Sequence, residues 1–426
     1  MQLVIIIDEN VKLKQNTAML PKKFAIVART LIIVLSLFLQ HSVDAQNTKS
    51  NQNNSGFIDN MNNSFKSFKD SVSVNFSNFQ EQQQQSFDDF KKQIQKKWGS
   101  GNFAYSDSVN WVEYYEDNNV RSTVNFKEGN ANIELLIESD EEIDNKDIEE
   151  DVGEAIKEMA LTKGKKIDFD VEEEGQNELS EKPILENQLI TKEGEKVSED
   201  NIDQFTKEIV SKKEIKQTKV KGTDGKSRTM VSISIPLAPD YLKVRAEKLL
   251  PIVTKYSKQY GIEPELILSV IHVESYFNPK AISHANAIGL MQLVPSSGGM
   301  DSYNYVFNKN TEPSIKFLYD SDNNINLGTA YLRILMTRYF GDVVNSDSKR
   351  YCVVSSYNTG VGNVCRTVSG NTIVHHTVNK INALTPSKTY RFLSQNLKYK
   401  EARNYIVKVN DKYLMYKNWL VMDNNF

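Results

Sequence analysis

The chain has 426 residues, 39% of them hydrophobic and 25% charged, proportions of a folded globular protein too long for one compact unit and long enough for two or three domains. Its formal net charge of -3 hides an asymmetry: residues 1–240 carry 30 basic and 42 acidic side chains and residues 241–426 carry 22 and 13, so the two parts hold about -12 and +9. The cationic part suits an anionic polymer and the acidic part would dock on it or shield it, unless both are ordinary solvated surfaces. No Lys/Arg cluster interleaved with aromatics is found, which argues against nucleic acid as a partner.

Lys22, Lys23 and Arg29 precede an apolar run over 31–39, followed by Val43, Asp44 and Ala45. This is the pattern of a signal peptide over 1–45, cleaved after Ala45, and the apolar core is short for a bilayer span; an uncleaved anchor is the alternative. Met19 is a second candidate start, and no cysteine lies where a lipid would be attached, so export to the periplasm or cell envelope is expected without a lipoprotein anchor. Residues 46–56, rich in Asn, Gln and Ser, read as a flexible leader. Met61, Phe65, Phe68, Val72, Phe76, Phe79, Phe87, Phe90, Ile94 and Trp98 then recur at steps of three and four, which predicts an amphipathic helix ending near 98. Its stripe needs a covering surface: its own domain first, with membrane or a cell-wall protein as the alternatives.

Residues 99–239 read as an α+β domain. Thr123 to Phe126 and Ile133 to Ile137 flank Gly129-Asn130 as a hairpin, and residues 167–171 and 231–235 also alternate as strands. Ile148, Val152, Ile156 and Met159 mark a helix, whereas residues 172–228 are mostly charged, lack a strong period and are expected to hold long loops. From 240 to 426 helical spacing dominates: Leu242, Ala246, Leu249 and Val253 form one stripe, Leu266, Val270 and Glu274 a second, and Ala330, Ile334, Tyr331 and Leu335 a third, so this part reads as a mainly α domain. Its two cysteines, Cys352 and Cys365, are either a disulfide or two buried thiols.

The chemically informative segment is the helix that Pro264 opens and Glu274-Ser275 closes, almost wholly apolar between. A carboxylate at the end of such a run is costly unless paired or used, and desolvation favours its protonated form, which is what a general acid requires. From the helix alone, a salt-bridged or helix-terminal glutamate explains the residue equally well. Beyond it come Phe277-Asn278-Pro279, Ala281-Ile282-Ser283, Ala287-Ile288-Gly289-Leu290-Met291-Gln292, then Ser356-Tyr357-Asn358-Thr359-Gly360 and Glu401-Ala402-Arg403-Asn404-Tyr405. This succession resembles the soluble lytic transglycosylase family, with its goose-type lysozyme-like fold. The nearest likeness is to the membrane-bound lytic murein transglycosylase C group, in which a separate N-terminal domain precedes the catalytic one.

The resemblance implies that Glu274 is the acid/base of a peptidoglycan lytic transglycosylase, a lyase cutting the β-1,4 bond between N-acetylmuramic acid and N-acetylglucosamine and leaving 1,6-anhydromuramic ends. It further implies that Ser283 orients this carboxyl or the substrate N-acetyl group, that Gln292 lines the cleft, that Tyr357 and Asn358 border the scissile bond, and that Glu401 and Tyr405 belong to the same cleft. Ser356, Ala402 and Val294 depart from the usual Ala, Thr and Met of the motifs, which touches subsite preference and leaves the acid/base intact. One carboxyl suffices if the sugar's N-acetyl oxygen holds the developing charge. The alternatives are a hydrolytic muramidase on the same fold and a non-catalytic glycan-binding scaffold.

No metal or cofactor is expected: His272 lies on another side of the helix from Glu274 and reads as a packed histidine, and His375-His376 read as loop. Gly360 and Gly362 fit a turn beside Asn358. The α+β region shows no acid, base or metal cluster, so it is expected to govern location or strand engagement, and a fragment of residues 240–426 is expected to stay active.

Overall fold

The computed structural model describes residues 84–138, 145–166, 177–212 and 215–423. The signal segment, the leader, the apolar stripe as far as Phe79 and the expected strand at 167–171 lie outside the described residues.

Residues 84–98 are helical (α1), and Phe90, Ile94 and Trp98, spaced by four, are buried on one side. That side covers a five-stranded antiparallel sheet of β1 (Asn110–Tyr115), β2 (Val120–Asn125), β3 (Asn130–Ile137), β4 (Lys216–Lys221) and β5 (Ser227–Pro236), in the order β1-β2-β3-β5-β4. The expected hairpin is present: Asn125 pairs with Asn130, and Gly129 takes φ 70° at the corner, a left-handed conformation that glycine adopts without a Cβ clash.

Alternation along the strands gives the sheet two buried faces. Val112, Tyr114, Leu136 and Val220 meet α1, while Trp111, Tyr115, Val124, Ala131, Ile133, Val231, Ile233 and Ile235 face the other way. There they pack on α2 (Asn145–Leu161), through Ile148, Val152, Ile156 and Met159, and on α3 (Ile202–Lys212), through Ile202 and Phe205. The described end of the amphipathic stripe is therefore covered by its own domain; burying Trp98 alone stabilises the fold by roughly 2–3 kcal/mol. The expectation of long loops over 172–228 holds for the described residues 177–201, which form no helix or strand element, and is corrected beyond them, where α3 and β4 lie. Ile202, Phe205 and Ile209 make a helical stripe too sparse among charges to stand out, and β4 is an exposed edge strand whose charged side chains mask its alternation.

The rest is helical: α4 (Tyr241–Tyr260), α5 (Pro264–Ser275), α6 (Met300–Phe307), α7 (Ile315–Tyr319), α8 (Ser321–Ile334), α9 (Ser346–Thr359), α10 (Val361–Ser369), α11 (Val374–Asn382), α12 (Pro386–Asn396) and α13 (Lys400–Asp423). His375 and His376 fall inside α11, not in a loop, because Val374, Val378 and Ile381 give that segment an inward apolar side. Cys352 and Cys365 are free buried thiols on α9 and α10, and burial pushes Cys352 up to about 12. Among the described residues no helix is long and apolar enough to cross a membrane.

Sheet and helical regions share a core. Ile288, Leu293, Leu318, Tyr319 and Leu327 of the helical region join the cluster under the sheet, and Arg245 on α4 stacks 3.5 Å from the centroid of the Phe126 ring at the end of β2. Cutting at 240 would expose this apolar surface, which argues against an active fragment of residues 240–426.

Candidate active site

Helix α5 starts where Pro264 supplies a fixed φ and needs no N–H partner. Leu266, Ile267, Leu268, Val270 and Ile271 are all fully buried, so the helix is a core element between α4 and α13. Its buried polar side chains are satisfied one by one. The Ser269 hydroxyl donates to the Leu266 carbonyl, Ser275 to the carbonyls of Ile271 and Leu290, and His272 Nδ1 meets the Tyr416 hydroxyl at 2.7 Å. Burial, with Lys412 adding to it, pushes His272 down to about 3, so it is a neutral packed histidine as expected from the sequence.

Glu274, in the last turn, differs. It keeps part of its surface open to solvent while its carboxyl lies among protein atoms, and among the described residues no cation faces it. Desolvation raises it to about 8, the nearby Glu401 charge adds to the rise, and the hydrogen bond from Tyr405 opposes it. A carboxyl raised this far favours its protonated form at neutral pH. The Tyr405 hydroxyl, from α13, donates to Oε1 at 2.6 Å. Among the described residues Oε2 has no hydrogen-bond partner, so one oxygen is held and the other is available.

Four of the other expected site residues gather around this carboxyl. Tyr357 on α9 donates to the Met291 carbonyl at 2.8 Å and stacks obliquely on Tyr331, with ring centroids 5.4 Å apart. Burial and then the Glu274 charge push the Tyr357 phenol far up. Tyr405 is raised by the same two causes. Asn358 Nδ2 donates to Glu401 Oε1 at 3.2 Å, joining the ends of α9 and α13.

Ser283 and Gln292 are placed differently. The Ser283 hydroxyl oxygen accepts the N–H groups of Ala285 and Ala287, and Gln292, at φ 45°, donates from Nε2 to the carbonyls of Ala281 and Gly289. Both brace the loop 281–293, and neither hydrogen-bonds to Glu274. Asn324 on α8 was not singled out from the sequence. Fully buried, it accepts the Met291 N–H and donates to the carbonyls of Ile288 and Leu318, holding the loop that carries Gln292 and anchors Tyr357. Gly289, φ 74°, lies so close that a Cβ there would sit 2.3 Å from the Asn324 amide nitrogen. The local signal was only a polar residue in an apolar stripe.

The description "Transglycosylase SLT domain" matches residues 251–376, and "Membrane-bound lytic murein transglycosylase C, N-terminal domain" matches residues 75–248. The motif with Glu401 and Tyr405 lies beyond the first match. Among solved structures, the 70-kDa soluble lytic transglycosylase of Escherichia coli is 22% identical with a TM-score of 0.31 over 40% of this chain, which spans about a quarter (24%) of that protein. The lytic transglycosylase Slt of Pseudomonas aeruginosa is 23% identical with a TM-score of 0.29, over 40% of this chain and 24% of that one. The curated relatives match over much more of their length. The membrane-bound lytic murein transglycosylase C of Haemophilus influenzae (strain PittGG) is 32% identical over 74% of this chain and 83% of its own, and that of Serratia proteamaculans (strain 568) is 32% identical over 75% and 86%. With an N-terminal and a catalytic match in that order and relatives at 32% identity covered over more than four-fifths of their length, the chain belongs to the membrane-bound lytic murein transglycosylase C family.

Proposed function

We propose that this chain is a lytic transglycosylase of the cell envelope that cleaves the β-1,4 bond between N-acetylmuramic acid and N-acetylglucosamine in peptidoglycan, with Glu274 as the single acid/base. The observation that carries the reading is a carboxyl that no cation meets among the described residues, raised to about 8 by burial and held through one oxygen by Tyr405. The family supplies the substrate; the site supplies the chemistry.

Glu274 Oε2 gives its proton to the glycosidic oxygen as the bond to the muramyl anomeric carbon breaks, and the leaving glucosamine departs as the 4-hydroxyl end. The muramyl N-acetyl oxygen holds the positive charge that develops at the anomeric carbon. The carboxylate then takes the proton of the muramyl C6 hydroxyl, whose oxygen attacks the anomeric carbon and closes the 1,6-anhydro ring. Proton count is restored and no water is consumed. Tyr405 serves the second half: its O–H bond stabilises the carboxylate that exists only between the two proton transfers. Tyr357 and Asn358 would hold the sugars on either side of the bond, and Ser283 and Gln292 would act through the loop they brace, because intramolecular attack depends on a near-attack geometry. Glu401 is tied to Asn358, which suits positioning better than nucleophilic attack.

Export by the 1–45 segment, cleavage after Ala45, and contact of the 57–98 stripe, short of its buried 84–98 end, with membrane or wall proteins belong to the same proposal. Digestion of purified sacculi followed by mass spectrometry of the products tests it. Anhydromuramyl ends are expected; reducing muramic ends would make the protein a hydrolytic muramidase, and no products would make it a binding protein.

A further inference from the structure

Helix α5 does not run on past the acid/base. Tyr276 (φ 48°) and Phe277 (φ 63°) both adopt the left-handed conformation, which costs a residue with a Cβ on the order of 1–2 kcal/mol each. Two such residues in succession, one turn from the reacting carboxyl, must be held by their surroundings. Part of the hold is local: the Tyr276 N–H donates to the His272 carbonyl and the Asn278 N–H to that of Ser275. The rest comes from the sheet region. Asn278, fully buried, donates from Nδ2 to the carbonyls of Asp107 and Asn110, both at 3.0 Å, at the start of β1. Its Oδ1 accepts the Lys280 N–H. On the other side, the Arg245 guanidinium donates to the Phe277 carbonyl and to Gln188 Oε1 and lies over the Phe126 ring. Among the described residues no carboxylate meets Arg245.

These contacts have a common geometry. Asp107, Asn110, Gln188 and Phe126 all belong to the sheet region, and all reach, directly or through Arg245, the three residues that follow Glu274 and Ser275. A buried amide with both donor hydrogens committed to main-chain carbonyls leaves the turn one orientation. That orientation sets where α5 ends relative to α13, and hence how Glu274 meets Tyr405. We propose that the sheet region is a clasp on this turn, and that Asn278, with Arg245 and Gln188 behind it, is a positioning residue for the Glu274 carboxyl. The sheet region thereby takes part in the reaction without lending it an acid or a base. This rests on the assignment of Glu274 made above.

The test uses the full chain and the pH dependence of kcat. The groups that face Glu274 are Tyr405 and Glu401 from α13 and Tyr357 from α9, with neutral His272 on its own helix. Because Glu274 must be protonated to start the reaction, kcat falls as pH rises past its titration. Asn278→Ala frees the turn and admits water to the carboxyl. The expected result is a loss in kcat on the order of tenfold to a hundredfold with KM little changed, and movement of the alkaline limb to lower pH. Val152→Ala, under the sheet and away from the turn, lowers the melting temperature and leaves that limb in place. A folded Asn278→Ala protein with a lower melting temperature but wild-type kcat and alkaline limb would overturn the clasp and leave Asn278 as packing. Should Asn278→Ala not fold, Gln188→Ala, which removes one partner of Arg245, is read by the same two measures with the same two outcomes. Glu274→Gln in parallel separates the two proposals: if it keeps wild-type activity, the acid/base assignment fails, whereas an inactive Glu274→Gln beside an unaltered Asn278→Ala sinks only the clasp.

Discussion

The sheet and helical regions bury ionisable side chains to opposite effect. In the sheet, Arg121 meets Glu134 at 2.7 Å over the Trp98 ring, and Arg228 holds Asp224 and Glu138. Arg228 brings Asp224 down to about 2. In the helical region, among the described residues, Glu274 is desolvated with no cation and rises to about 8, and Arg245 is buried with no carboxylate and is pushed down to about 9. The uncompensated pair flanks one turn. Burial with a countercharge makes structure, and burial without one leaves a proton to be used or a carbonyl to be held.

The contrast is sharpened first at Glu274. Glu274→Gln should lower the rate of glycan cleavage by roughly 10²- to 10⁴-fold, measured on purified sacculi, with the fold retained. It should also be more thermostable than the parent at alkaline pH. The folded carboxyl titrates near 8 and the unfolded one near 4.3, so the native state binds the extra proton between these values and loses stability as pH rises through that window. A melting-temperature difference independent of pH would contradict the burial. Next, Tyr405→Phe removes the donor that steadies the carboxylate. It should cost about tenfold in kcat and move the alkaline limb to higher pH, opposite to Asn278→Ala.

The compensated pair answers differently. Glu134→Gln strands the Arg121 guanidinium and should cost about 2–3 kcal/mol of stability by chemical denaturation, while specific activity of the folded protein stays at the parent level. Smallest is Ser356→Ala. Among the described residues the buried Ser356 hydroxyl has no hydrogen-bond partner, so its removal should raise stability by up to about 1 kcal/mol and leave cleavage unchanged.

Much of this was legible in the sequence for local reasons. A carboxylate closing an apolar helix marks Glu274, and alternation around Gly129-Asn130 marks the hairpin, because in both the physics lies within a dozen residues. Tyr357, Asn358, Glu401 and Tyr405 were legible only through motif order: they converge from α9 and α13, and no spacing within either helix points at the other. Asn278 was visible as part of a motif but not as a clasp, since its two carbonyl partners lie 171 and 168 residues earlier in the chain. Asn324 stayed hidden for the same reason, and α3 because three apolar side chains among charges give a weak period. Independence of the helical region was expected from the shift in pattern near 240; the core that crosses it is a tertiary fact.

Titration of the Glu274 carboxyl by infrared difference spectroscopy, with Glu274→Gln as the blank, reaches the central claim most directly. A protonated-carboxyl band that persists through neutral pH, disappears near pH 8 and is missing from Glu274→Gln is the predicted result. A band lost near pH 4.5 would mean that the side chain is an ordinary solvated glutamate, and the acid/base role would fall with it.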